Sequence, residues 1–389
     1  MYNRLLLAIV TTAFVEQAVI TVARVTTTYR AVELDLSVVW IGIITAVYAV
    51  LPIGLGVPMG RFIDRGYDAV TTWIGGGLLV VGCAAFVLFP NLAGILVATA
   101  IIGTAHLLFV VSQQVLCTRC GTGPGAMERA IGNYMVANAM GQGVGPYIVG
   151  VVGGSANVPP TKLLFLVSLG GAVLTAACAF MTQSTGAHKV APESVRAPLR
   201  ELLFIPGLTA IMLVSVVTVV AQDLIVVYLP LLGADRGWSV DAVGTLLAVR
   251  AIASMLSRLS FARLHAAFGR IPLTLIGTFA SAIAYAMLAL PLPMPLMYTA
   301  IAVAGFALSI SITSSIAGLL TIASGGAIGT ANSLRTMVSR IGQFIIPILA
   351  SVIAAAVGTG SIFVMIGISL AASGAAVRFD SKRAASDAD

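Results

Sequence analysis

Residues 132–150 read GNYMVANAMGQGVGPYIVG. Gly132 is followed after eight residues by Gly141, after three more by Gly145-Pro146, and then by Gly150. Glycines four apart share one helix face and let a neighbouring backbone come close. Pro146 removes one backbone donor and bends a helix. A soluble helix tolerates so many breakers poorly. A membrane helix accepts them, because its neighbours satisfy the freed backbone groups.

The whole chain has the composition that such a helix requires. Of its 389 residues, 59% are hydrophobic and 9% charged, with a mean hydropathy of +1.05. A soluble domain carries roughly 25% charged residues. A span needs ~20 apolar residues, so about twelve spans consume the chain and leave no soluble domain. The net charge of +7 does not signal nucleic acid, since no basic run or aromatic-interleaved basic patch accompanies it. Cys117 and Cys120 form a lone CxxC with no second pair or nearby histidine, so no metal site is expected. The N-terminal apolar run carries Glu16 and lacks a clean cleavage site. It reads as an uncleaved first span.

Hydropathy predicts helices over residues 5–28, 40–64, 71–89, 92–118, 127–152 and 162–182, then 202–232, 240–264, 271–290, 295–323, 327–357 and 361–377. The expected organisation is an N-terminal six-helix bundle (1–182), a polar linker (183–201), a C-terminal six-helix bundle (202–378) and a disordered tail (379–389). With both termini inside, Arg61, Arg65, Arg119, Arg129, Arg263 and Arg270 fall on the inner side, as do the linker's basic residues. Only Arg30, Lys162 and Arg236 fall outside. That bias orients the protein with its termini in the cytoplasm and requires an even number of spans.

The halves repeat. Gly42 answers Gly244, and Glu16-Gln17 answers Gln222-Asp223. Ala130-Ile131-Gly132 answers Ala327-Ile328-Gly329, and at the same offset Gly145 answers Gly342. Two such halves are the signature of a rocking secondary transporter with its site between them. Between helices two and three stands Gly60-Arg61-Phe62-Ile63-Asp64-Arg65-Gly66, and the matching loop keeps Gly269-Arg270 but has Ala266 in place of the aspartate.

The 132–150 stretch resembles the antiporter motif in the fifth helix of drug/proton antiporters of the major facilitator superfamily, with Val149 where that family usually has a glycine. The Gly60–Gly66 loop resembles the superfamily's loop motif, with one residue between Asp64 and Gly66 and Tyr67-Asp68 in place of the usual basic pair. Residues 24–34, RVTTTYRAVEL, resemble the outer end of helix one in bacterial efflux members. The resemblance covers the chain. It implies an all-α membrane protein with twelve transmembrane helices in two pseudo-symmetric six-helix bundles, usually monomeric, in the bacterial inner membrane. It also implies that Asp64 caps a neighbouring helix and pairs with arginine, latching one conformation.

Ionisable groups at mid-membrane are costly and usually face a cavity or a partner. Glu16 lies midway along helix one. It can carry a proton, bind a cationic group, or pair structurally with Arg24 or another arginine. Asp223 in helix seven can couple to a proton or to substrate, or serve as a satisfied buried carboxylate that holds two helices together. His106 can relay protons or serve as a hydrogen-bonded structural group. Arg250, Arg335 and Arg340 cannot lose their charge. Two carboxylates cannot neutralise these three and Arg24 together, so an anionic ligand is expected. The other reading of Arg24, Arg258 and Arg340 is snorkelling or gate lining. Gln17 shares a face with Arg24, Gln113 shares one with His106, and Asn138 and Gln142 lie four apart on helix five; all four are candidates to line the cavity. Hydroxyls from Ser309 to Ser315 make helix ten polar, as helix packing alone would also do.

No GxxxxGK[ST] loop, catalytic constellation or metal set is present, so neither enzyme activity nor a cofactor is expected. The expectation is proton-coupled export of a small organic anion or zwitterion. Alternatives are a proton/carboxylate symporter for uptake, a multidrug exporter of lipophilic cations, and a non-transporting membrane sensor or assembly partner.

Overall fold

The computed structural model describes residues 2–118, 126–182, 208–322 and 328–386. The expected linker and Cys120 lie outside the described residues. These residues form twelve α-helices: α1 (Tyr2–Glu33), α2 (Val38–Asp64), α3 (Asp68–Leu88), α4 (Leu92–Thr118), α5 (Ala126–Gly153), α6 (Thr161–Phe180), α7 (Leu208–Asp235), α8 (Val240–Phe268), α9 (Arg270–Ala289), α10 (Met294–Ile322), α11 (Ile328–Val357) and α12 (Gly360–Ser386). At 1.5 Å per residue, even the 20-residue α6 reaches about 30 Å, the thickness of a bilayer core. Eleven of the twelve are long and apolar enough to cross a membrane. Helix α5 is not among them.

Helices predominate because lipid offers no partners to backbone N–H and C=O groups. Side-chain hydroxyls follow the same rule and bond back to carbonyls one turn earlier, as Thr12 does to Ala8 (2.6 Å) and Thr45 to Ile41 (2.7 Å). The last helix runs to Ser386, well past the predicted end at 377 and into the stretch expected to be disordered. Lys382, Arg383, Ala384 and Ala385 are strong helix formers and extend it beyond the apolar run.

The contacts divide the chain into two compact units, Met1–Val190 with Val226–Ala248, and Ala191–Ile225 with Val249–Asp389. In the first, α1 packs on α5 and α6, α3 on α4 and α6, and α2 on α4. Small residues allow close approach: a Cβ on Gly76 would lie 3.0 Å from the Ala176 backbone. Val226–Ala248, assigned on sequence to the C-terminal bundle, belongs to this unit. The backbone explains it, since Val240 N–H donates to Ala156 (2.9 Å) and Asp241 N–H to Gly154 (3.0 Å). In the second unit α9 packs on α10 and α12, and α11 on α12. The buried face of α9 is mostly small or hydroxylated, including Thr274, Gly277, Thr278, Ser281 and Ala282.

The α5 glycines face different neighbours. A Cβ on Gly141 would meet Phe14, Gln17 and Ala18 of α1, and one on Gly145 would meet Thr21 and Ala18. Gly150 lies against Asp241 and Gly244 of α8. Gly132 has nothing near its Cβ position, so it does not share their packing role.

Candidate functional site

In the first unit, polar groups gather where α1 passes α4 and α5. Glu16 and Gln17 are adjacent, about 100° apart around the helix, so each meets a different neighbour. Glu16, 1% exposed, is hydrogen-bonded to His106 of α4 at 2.8 Å between Oε1 and Nδ1. The sequence readings offered Arg24 or another arginine as a structural partner for Glu16 and did not foresee His106. On the other side Asn138 Nδ2 donates to Gln17 Oε1 (3.2 Å), and Gln142 Nε2 donates to Asn138 Oδ1 (2.9 Å). Three amides thus link α1 to α5 beside the carboxylate. Gln113 stands apart from this chain. It is buried, and its Nε2 has no hydrogen-bond partner among the described residues.

Tyr48 of α2 joins His106 to Arg24. Its ring centroid is 6.0 Å from that of His106, and the Arg24 guanidinium lies 4.8 Å over it, within cation–π range. Arg24, Thr27, Tyr48 and Thr99 help line a cavity with about 30 Å³ open to water centres, room for two or three waters at about 10–15 Å³ each. Arg24 is thus one of the residues that line this pocket. Sequence reasoning missed Tyr48, because an aromatic residue in an apolar span ordinarily reads as packing.

In the second unit, Gln343 of α11 donates from Nε2 to Asp223 Oδ2 of α7. Its Oε1 accepts from Arg340 Nη1 (3.1 Å). One amide thus links carboxylate to guanidinium. Gln343 was also missed, although it follows Gly342, already marked by the repeat. Arg335 Nη1 donates to Ser215 Oγ (3.2 Å). Arg250 is 3% exposed, and Gly305 of α10 lets that helix approach the Arg250 backbone and Cγ. Tyr285 OH donates to the Ala221 carbonyl (2.9 Å) and lies in the fields of both Arg250 and Asp223.

Gly60 has open space at its Cβ position, Arg65 is exposed, and Gly66 adopts φ 93°, a conformation favourable to glycine. The Asp64 side chain lies outside the described part. Asp68 is buried at the start of α3, its Oδ1 accepting from Ala69 N–H (2.7 Å), where a carboxylate suits the helix dipole. In the matching loop Gly269 (φ 77°) precedes α9. Arg270 Nη1 donates to the Gly318 carbonyl (3.3 Å), near the C-terminal end of α10 where cations are favoured.

The geometry provides a buried carboxylate, Glu16, paired with a histidine, a partly buried one, Asp223, linked through an amide to arginine, and further arginines in the second unit. Among the described residues no group of three or more His, Cys, Asp or Glu is arranged to hold a metal.

Comparison with known proteins gives a match to the Major Facilitator Superfamily over residues 5–239 and 211–388. No curated protein matches in sequence. Among solved structures, a bacterial homologue of the human lysosomal transporter Spinster, inward-facing and occupied, is 16% identical with a TM-score of 0.77, over 97% of this chain and 96% of that one. A mutant of the nucleoside transporter NupG is 12% identical with a TM-score of 0.80 over 97% and 99%. A POT family transporter in complex with 5-aminolevulinic acid is 11% identical with a TM-score of 0.78 over 97% and 96%. At these identities the likeness is one of fold.

Proposed function

The chain belongs to the major facilitator superfamily, and from that premise we propose that it is a proton-coupled exporter of a small organic anion or zwitterion, working by alternating access in a bacterial inner membrane. It is a secondary transporter and not an enzyme. The observation that carries the proton-coupled reading is the Glu16–His106 hydrogen bond of 2.8 Å, made by a buried carboxylate. On taking up one proton, a carboxylate against an imidazole passes from a singly negative pair to a net-neutral one, and their hydrogen bond lowers the cost of the charge left when the proton is released.

In this reading Glu16, His106 and Asp223 exchange protons. Arg250, Arg335 and Arg340 hold the anion, while Arg24, Gln17, Gln113, Asn138 and Gln142 line the route. Protonation of Asp223 weakens its claim on Gln343 and so alters what Gln343 offers Arg340. A gradient of one pH unit supplies about 1.4 kcal/mol per proton. It biases the conformational equilibrium only through different affinities for the two states. The fifth-helix glycines support antiport over symport.

The test is reconstitution in liposomes containing a pH-sensitive dye, with outward gradients of aromatic and aliphatic carboxylates. Proton entry opposite to anion exit is expected, and Glu16→Gln is expected to abolish proton movement while anion exchange continues. Protons moving with the anion would overturn antiport. Unchanged coupling in Glu16→Gln would remove that residue from the coupling site.

A further inference from the structure

The pocket beside Arg24 lies wholly within the first unit. Its apolar walls come from four helices: Ile41 and Ile44 of α2, Phe86 of α3, Ile102 of α4 and Val227 of α7. Arg24 is the one charged residue among those that line it, and none of them is acidic. The Arg24 guanidinium stacks on the Tyr48 ring (4.8 Å). Stacking uses a face of the group, whereas its N–H donors lie in the plane and point from the edges.

Four threonines complete the lining. Thr27 and Thr45 donate their hydroxyl protons to the Ala23 and Ile41 carbonyls, each at 2.7 Å, and Thr28 donates to the Arg24 carbonyl (3.4 Å). Thr99 differs. It is 7% exposed, and its Oγ1 is buried without a hydrogen-bond partner among the described residues. A hydroxyl left so opposes folding, and a ligand within its reach removes the cost. A helical threonine divides itself between two rotamers, so this hydroxyl can turn toward a bound group.

These features define what fits. A guanidinium in a lining without acids favours a negative charge, which it meets through paired N–H donors when the anion is a carboxylate. Walls of Ile, Val and Phe favour a ligand with an apolar body, as small-molecule sites do, and give little to water or an inorganic ion. The space open to water centres, about 30 Å³, corresponds to two or three waters, about 60–90 Å³ of liquid. We infer that the pocket is a binding site for a short aliphatic monocarboxylate of acetate to propionate size. The carboxylate meets Arg24 and the Thr99 hydroxyl, and the alkyl end packs on Ile41, Ile44 and Phe86. Arg250, Arg335 and Arg340 belong to the second unit, so this is a further anion site, and its occupation does not depend on proton coupling or on the direction of transport.

The test is a saturation-transfer NMR titration of the purified full-length protein in detergent at neutral pH, with formate, propionate, propionamide and hexanoate as probes. Propionate is expected to bind most tightly of the four. Arg24→Gln should lower its affinity about 10- to 100-fold, the scale of hydrogen bonds to a charged group, and Thr99→Val about 2- to 10-fold, the scale of a neutral one. Arg24→Lys should fall between wild type and Arg24→Gln. Thr99→Val keeps the shape of the side chain and carries the test if Arg24→Gln does not fold. Formate binding as tightly as propionate would mean that the walls contribute nothing. Hexanoate binding as tightly would mean that the pocket sets no length, and propionamide that the charge of Arg24 is not used. Each of these results overturns the site, as does an unaltered propionate affinity in Arg24→Gln. An unaltered affinity in Thr99→Val alone would remove the hydroxyl from the site and keep Arg24. Failure of propionate to bind wild type would overturn the site and leave export of larger anions standing.

Discussion

Glu16 is 1% exposed, and an ionised carboxylate at such a position costs several kcal/mol unless it is paired. His106 supplies the pairing. Removing it in His106→Leu is expected to destabilise the protein by about 1–3 kcal/mol, the cost of a buried polar group left unsatisfied. Adding Glu16→Leu should recover part of that loss, with a coupling of about 0.5–3 kcal/mol in a double-mutant cycle. Thermal unfolding in detergent measures both. Additive losses would show that the 2.8 Å contact contributes nothing to stability. At this scale the sequence was informative about position but not about partnership. Glu16, Asp223 and Arg250 announced themselves as charges within apolar runs. That Glu16 meets His106, ninety residues away, depends on how α1 lies against α4. Gln343, which links Asp223 to Arg340, was passed over beside the marked Gly342 because a glutamine in a span is only mildly unusual.

The helices themselves were far more legible, because length and apolar run are local properties. Predicted and observed ends agree within a few residues for most of the twelve. The exceptions have local causes, as where helix-forming residues carry α12 past its apolar stretch. Glycine patterns proved less transparent. Spacing marked Gly132, Gly141 and Gly145 alike, yet only the last two of these three lie against α1. Gly141→Val and Gly145→Ala should therefore push α5 from α1, each costing about 1–3 kcal/mol as overpacked sites do. Gly132→Ala meets no atom within 4 Å and should be neutral or stabilise by up to about 1 kcal/mol through helix propensity. Melting temperatures of the three variants check this. A loss in Gly132→Ala as large as that in Gly145→Ala would mean that contact with α1 does not set the cost.

For the molecule as a whole, the direction of transport depends on the sidedness of the chain, and sidedness depends on α5. By composition α5 is the one described helix that is not apolar enough to span, because it carries Asn133, Asn138, Gln142 and repeated glycines. Two observations favour its crossing. At 28 residues it is about 42 Å long. Its amides are also used internally, Asn138 on Gln17 and Gln142 on Asn138, which lowers the cost of taking them into a membrane. Cysteine labelling in intact cells decides the matter. Cys83 and Cys117 are buried and should react slowly, so Cys120→Ala and Cys178→Ala give a quiet background. Into it go Ser155→Cys, after α5, and Arg65→Cys, between α2 and α3, both exposed positions. An impermeant thiol reagent should label position 155 and reach position 65 only after permeabilisation, because three crossings separate them and the basic loops stay inside. Labelling of both or of neither before permeabilisation would mean that α5 does not cross, which breaks the parity of the two halves. Labelling of position 65 alone would put the termini outside and reverse the vector of proton-driven export.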